Sequence, residues 1–218
     1  MSMSDYVAGG VEEGLVPRTT EARNAHEVIE ILPRRREPSV AMWGMAMFVA
    51  SEATLLASMI ASYYYLRFYS RAWPPLADPK PEVWRTLVLV VILALTSVPM
   101  LLAVRAARRG RLTATRLLLA GALLVQVGYF AYEAHDFMRQ VHHDPITTDA
   151  YSSIYFTLLG ADHAHVFVGI VLSVWLLWKL LRGLTMYRLN ATQVVAFYWH
   201  AVNVLTLIVI GVLTSAAI

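Results

Sequence analysis

Apolar residues in this chain come in long blocks rather than in alternation. Five blocks follow a polar opening stretch, at about Ala41–Leu66, Val83–Val104, Leu112–Tyr132, Ile154–Leu181 and Val194–Ile218. Each holds about 20 or more residues, enough for a helix to cross ~30 Å of hydrocarbon. With no period-two pattern, helices rather than a barrel would satisfy the backbone in lipid. The pattern predicts an all-α integral membrane bundle of five transmembrane helices. Pro99, towards the end of the second block, predicts a kink. The links are short except for about Phe68–Glu82 and Glu133–Ser153. Residues 1–40 read as a polar arm and 41–218 as the membrane domain. The arm mixes glutamates with arginines and ends in Arg34-Arg35-Arg36. It has no apolar core of its own, so an aqueous arm is expected rather than a secretory signal. Within it, Ala22–Leu32 reads as a short amphipathic helix.

Composition agrees with that pattern. Of 218 residues, 58% are hydrophobic and 15% charged, with a mean hydropathy of +0.54. A soluble domain usually carries about 25% charged residues. The net charge of +3 does not point to nucleic acid, because the arginines cluster beside the apolar blocks instead of forming one basic face. Lys and Arg near the block ends divide 13 to 5 in favour of the N-terminal side. The positive-inside rule then predicts a cytoplasmic N-terminus and a periplasmic C-terminus. The chain has no cysteine, which removes disulfides and every thiolate-bound metal or cluster.

Chemistry should reside in polar groups that are costly to place in lipid. Glu52 lies ~16 Å into the first block, close to the bilayer centre. An ionisable group there costs at least ~2.5–3.5 kcal/mol and needs a partner or water. It is either a structural carboxyl bonded to a neighbouring helix or a protonatable relay. The fourth block carries Asp162, His163 and His165. His163 and His165 point ~200° apart and cannot readily share one ion, whereas Asp162 and His165 share a face. In the fifth block His200 and Asn203 also share a face. Glu52, Asp162, His165, His200 and Asn203 are therefore the candidate interhelical network. No catalytic residue and no metal site is assigned, although His165 and His200 on separate helices leave axial haem ligation open. Glu133, His135 and Asp136, just past the third block, read as solvated. Ala57 with Ala61 and Ser58 with Ser62 have the spacing of close helix contacts.

These residues resemble those of a known family, subunit III of haem–copper oxidases. The stretch Trp43-Gly44-Met45 through Phe48-Val49-Ala50-Ser51-Glu52-Ala53 is similar to that family's Ser-Glu helix, and continues through Tyr64-Tyr65-Leu66-Arg67 to Trp73-Pro74-Pro75. Tyr132-Glu133-Ala134-His135 resembles the end of its Glu-bearing middle helix. Tyr151 through Gly160 resembles the entry to its penultimate helix, His165-Val166-Phe167-Val168-Gly169 that helix's His-Val-x-x-Gly, and Tyr198-Trp199-His200 the last helix. The pieces stand in family order over about residues 38–218, in a five-span form like that of some bacterial members. Three positions depart: Asp162 stands where the family usually has His, Asn203 where it has Asp, and Tyr129 where its middle helix often has Glu.

The resemblance implies an accessory subunit in the bacterial cytoplasmic membrane, with haem and copper held by partner subunits and none by this chain. Subunit I would be its direct partner, with subunit II, small subunits and a respiratory supercomplex around it. The implied roles are to stabilise the catalytic subunit, support proton uptake and bind structural phospholipid, for which Trp43, Arg67 and Trp73 are the candidate contacts. The alternatives are an accessory subunit of a nitric oxide reductase, a small proton-coupled transporter using Glu52, and a dihaem electron carrier.

Overall fold

A computed structural model of the chain describes residues 38–74, 83–143 and 145–215. The polar arm up to residue 37, with its expected amphipathic helix, lies outside these residues. The described residues form six helices: α1 (Val40–Tyr69), α2 (Val83–Leu95), α3 (Ser97–Arg108), α4 (Leu112–His143), α5 (Ala150–Leu180) and α6 (Met186–Thr214). Five segments are long and apolar enough to span a membrane, because α2 and α3 form one span, Trp84–Arg108, broken at Thr96. Pro99 is the cause. It has no N–H to give the Leu95 carbonyl and its ring crowds that carbonyl, so the helix is interrupted four residues upstream. The kink falls mid-span rather than near its end, since the helix continues to Arg108.

The long link expected over Glu133–Ser153 is mostly helix. α4 runs on to His143 and α5 starts at Ala150. The extension holds because Asp136 is tied on several sides. Arg139 and Gln140 reach it from the next turn at 2.8 and 2.6 Å, and Arg85 from α2 at 3.1 Å. At 32 residues α4 is ~48 Å long, more than the hydrocarbon thickness, so it projects beyond it.

Helix ends are set by local chemistry. Ser39, Asp149 and Thr185 cap the N-termini of α1, α5 and α6 with side-chain acceptors. Gly110, at φ 69°, ends α3 in a left-handed turn that lets Arg111 N–H reach the Ala106 carbonyl at 3.0 Å. Two arginines close C-termini from neighbouring helices. Arg116 donates to the Leu180 and Leu181 carbonyls at the end of α5, and Arg67 to Ser215 at the end of α6.

α6 is the centre of the bundle. It packs against α1, α2, α3 and α5, while α4 packs against α2, α3 and α5. The core includes Trp199, Tyr198, Val166, Leu176, Leu119 and Met100, all nearly or fully buried. Among the described helices, α1 packs against α5 and α6 alone. Its Ala57, Ser58, Ala61 and Ser62 face outward, away from the rest of the chain, so their small-residue spacing makes no contact within this bundle.

Five spans place the two ends of the bundle on opposite faces. One face gathers Arg105, Arg108, Arg109, Arg111, Arg116, Lys179, Arg182 and Arg188 and, among the described residues, no Asp or Glu. It is called the basic face below, and the other, which carries the α4–α5 turn, the turn face.

Candidate functional site

Three polar residues within four positions of α5 reach three different helices. A helix turns 100° per residue, so Asp162, His163 and His165 project in three directions. Asp162 faces α6, His163 faces α4 and His165 faces α1.

His165 holds α1. Its Nε2 lies 2.6 Å from Glu52 Oε2, and its Nδ1 lies 2.5 Å from the Ala161 carbonyl. A carbonyl can only accept, so Nδ1 carries a proton. The remaining proton is shared between Nε2 and Glu52, either as carboxylic acid on imidazole or as carboxylate on imidazolium. In both forms the pair is neutral overall, which makes it tolerable inside a membrane. The Tyr198 hydroxyl of α6 donates to the His165 carbonyl at 3.0 Å, which fixes this turn of α5 to a third helix. With both ring nitrogens engaged, His165 has none free for an axial bond to haem.

Asp162 is not the partner of His165, although the two share a face by spacing. It is 2% exposed and its Oδ1 accepts from Thr206 of α6 at 2.8 Å. The ~60° between the two positions is enough to send one side chain to α6 and the other to α1. Asn203, one turn before Thr206, donates from Nδ2 to Ser97 Oγ at 2.7 Å and so ties α6 to the break between α2 and α3.

His200 joins none of these bonds. Its Nε2 is buried with no hydrogen-bond partner among the described residues, beside an apolar groove of about 310 Å³ lined by Val49, Phe197, Ala201, Val204 and Leu205. The expected network is therefore three separate ties, with His200 apart from them.

Some contributors were not expected. Glu133 is not solvated but turned inward, its carboxylate 17% exposed and 3.9 Å from His163 Nε2. His135, by contrast, is exposed. The signal for Glu133 was its spacing after Gln126 and Tyr129, which puts all three on one face of α4; the span simply ran further than Tyr132. Thr206, Ser97 and the Ser173 that accepts from Trp199 Nε1 at 2.7 Å are ordinary hydroxyls, with nothing in their local sequence to set them apart. The Gly169 position is more telling. A Cβ there would meet the Trp199 ring at 2.9 Å, so only glycine lets α5 and α6 close around that ring.

The three lipid candidates do not form one site. Trp43 is 61% exposed near the start of α1. Arg67 and Trp73 are at the other end. Arg67 is spent on Ser215, and Trp73 packs edge-on against Tyr63 and Tyr151 at 5.2 and 5.0 Å. Among the described residues, no three His, Asp or Glu side chains converge on a point where they could hold a metal ion.

No family model matches the chain. Curated proteins do match. It is 27% identical over 168 residues to cytochrome c oxidase subunit 3 of Bacillus sp. (strain PS3), covering 74% of this chain and 78% of that one. Quinol oxidase subunit 3 of Bacillus subtilis (strain 168) is 29% identical over 163 residues, at 74% and 79% coverage. Cytochrome c oxidase subunit 3 of Corynebacterium diphtheriae is 28% identical over 172 residues, at 77% and 83% coverage. With five apolar spans, the Ser-Glu helix joined to its histidine partner on the penultimate helix, and this similarity along most of its length, the chain is similar to subunit III of haem–copper oxidases.

Proposed function

We propose that this chain is a non-catalytic accessory subunit of a terminal oxidase, lying in a bacterial cytoplasmic membrane with its basic face cytoplasmic. Haem and copper reside in partner subunits, foremost a subunit I in direct contact, with subunit II and small subunits beside it. Its work is to brace the catalytic subunit, support proton uptake and hold structural phospholipid. The observation that carries the reading is where the costly polar groups go. Glu52, His165, Asp162 and Asn203 each bind another helix of the same chain, which is the behaviour of a scaffold. The orientation is supported by the basic face, whose eight cations among the described residues stand with no anion. Trp43, exposed at the start of α1, is the lipid contact this reading retains.

Mass spectrometry of a tagged copy purified from native membranes in mild detergent tests it. A large haem-bearing membrane partner in stoichiometric amount is the expected result, and its companions identify the electron donor. A chain that emerges alone overturns the accessory role and leaves a transporter using Glu52.

A further inference from the structure

The inward face of α4 carries a polar line. Gln126, Tyr129, Glu133, Asp136 and Gln140 follow one another at spacings of three and four residues, so they lie on one side of the helix. The line begins at mid-membrane and ends near the turn face, a rise of ~21 Å. Asp136 and Gln140 satisfy each other at the outer end. Further in, the protein leaves polar atoms without partners. Gln126 is fully buried, and neither its amide nitrogen nor its amide oxygen has a hydrogen-bond partner among the described residues. Asn203, 4% exposed, has the same deficit at Oδ1.

His163 adds a geometric clue. Its Nδ1 is committed to the Leu159 carbonyl at 2.6 Å, so Nε2 is the nitrogen that looks towards Glu133. The separation of 3.9 Å exceeds a direct hydrogen bond and suits a bridge through water. Buried polar atoms in native proteins are paired, with ordered water where protein offers nothing. An inward polar stripe on a membrane helix marks a watered path rather than a lipid contact.

The path has a floor. Below Gln126 the inward face of α4 continues as Ala122 and Leu119, with Thr115 bonded back to its own helix. Across from them Trp199, fully buried, is pressed against Gly169, and its indole nitrogen is closed by Ser173. The polar line therefore opens towards the turn face and stops at the core that separates it from the basic face.

We propose that Gln126, Tyr129, Glu133 and His163 line a water-filled half-channel that gives protons access to Asp162 from the turn face only. Tyr129 stands within electrostatic reach of both Glu133 and Asp162, which links the two carboxyls. Glu133 is also faced by Asp136 and Arg85, and Asp162 by His165, so the charges around the path come from α2, α4 and α5. The ligand is water with its exchangeable proton. The inference requires only the five-span bundle and stands apart from the accessory role.

X-ray hydroxyl-radical footprinting of the unaltered, fully assembled protein reads internal water directly. Tyr129 and His163 are expected to be oxidised severalfold faster than Tyr198, a buried tyrosine off the path whose hydroxyl is tied to the His165 carbonyl. Equal rates at Tyr129 and Tyr198 overturn the proposal. Sidedness is read with single cysteines, unambiguous in this cysteine-free chain, at Gln126→Cys and Glu133→Cys with Ala122→Cys as the control. A charged, membrane-impermeant thiosulfonate added to sealed vesicles of either orientation should label the first two from the turn face and leave the third unlabelled. Labelling of Gln126→Cys from the basic face, or of neither path variant from either face, contradicts a one-sided path.

Discussion

α1 and α6 are apolar helices of nearly equal length, 30 and 29 residues, and they are held in opposite ways. In the most apolar stretch of α6 half the residues are buried by this chain, whereas in that of α1 the share is 6%. α6 is fixed by shape, through Trp199 locked over Gly169, and by polar ties to α5 and α3. α1 buries only Leu56 and Tyr63, and depends on a few long-range bonds, chiefly Glu52 with His165 and Arg67 with Ser215. In a membrane the tails around a helix are as apolar as its side chains, so hydrophobicity alone attaches neither helix; packing and hydrogen bonds do. One helix has both, and the other has little besides the bonds.

That contrast can be broken first at its strongest point. Trp199→Ala removes the largest fully buried side chain and strands Ser173, for a cost of about 3–5 kcal/mol. A large fall in the denaturation midpoint of the purified protein is expected. A midpoint near that of the wild type would show that α6 is not the packing centre. Glu52→Ala should cost about 1–3 kcal/mol, the range for leaving a buried group unsatisfied, here His165 Nε2. The expected readout is local: limited proteolysis releases α1 early, while the remaining helices stay protected and partner haem spectra are unchanged. Uniform loosening of all the helices would contradict the division drawn here.

A smaller effect is expected from Ser97→Ala, which removes the acceptor of Asn203 and should cost about 0.5–1.5 kcal/mol. Amide exchange should rise around the break between α2 and α3 and not in α1. Smallest is Leu55→Ala, on the outward face of α1 and 49% exposed, expected within ~0.5 kcal/mol for the isolated chain. Measuring the same change in the assembled complex sharpens the comparison, because a larger penalty there would mean that a partner covers this face.

The candidate site was legible in some residues and hidden in others. Glu52, Asp162 and His165 announce themselves because an ionisable group at membrane depth needs an explanation. Their partners Thr206 and Ser97 do not, since a hydroxyl can satisfy itself on its own helix, as Thr54 does with the Ala50 carbonyl at 2.9 Å. Glu133 was misread because helix length in a membrane protein is not bounded by apolar residues alone. α4 continues through eleven polar-rich residues once Arg85 and its own next turn secure Asp136.

What the sequence by itself determined is what one-dimensional physics can supply: block lengths fix the number of spans, and charge at their ends distinguishes the two faces. Pro99 announced a kink in the second span, though not that it falls mid-span. Only the tertiary structure decided which helix each polar group serves. Spacing restricts Asp162, His163 and His165 to directions around α5, but which neighbour occupies each direction depends on how five helices pack. That arrangement sends the first to α6, the second to α4 and the third to α1.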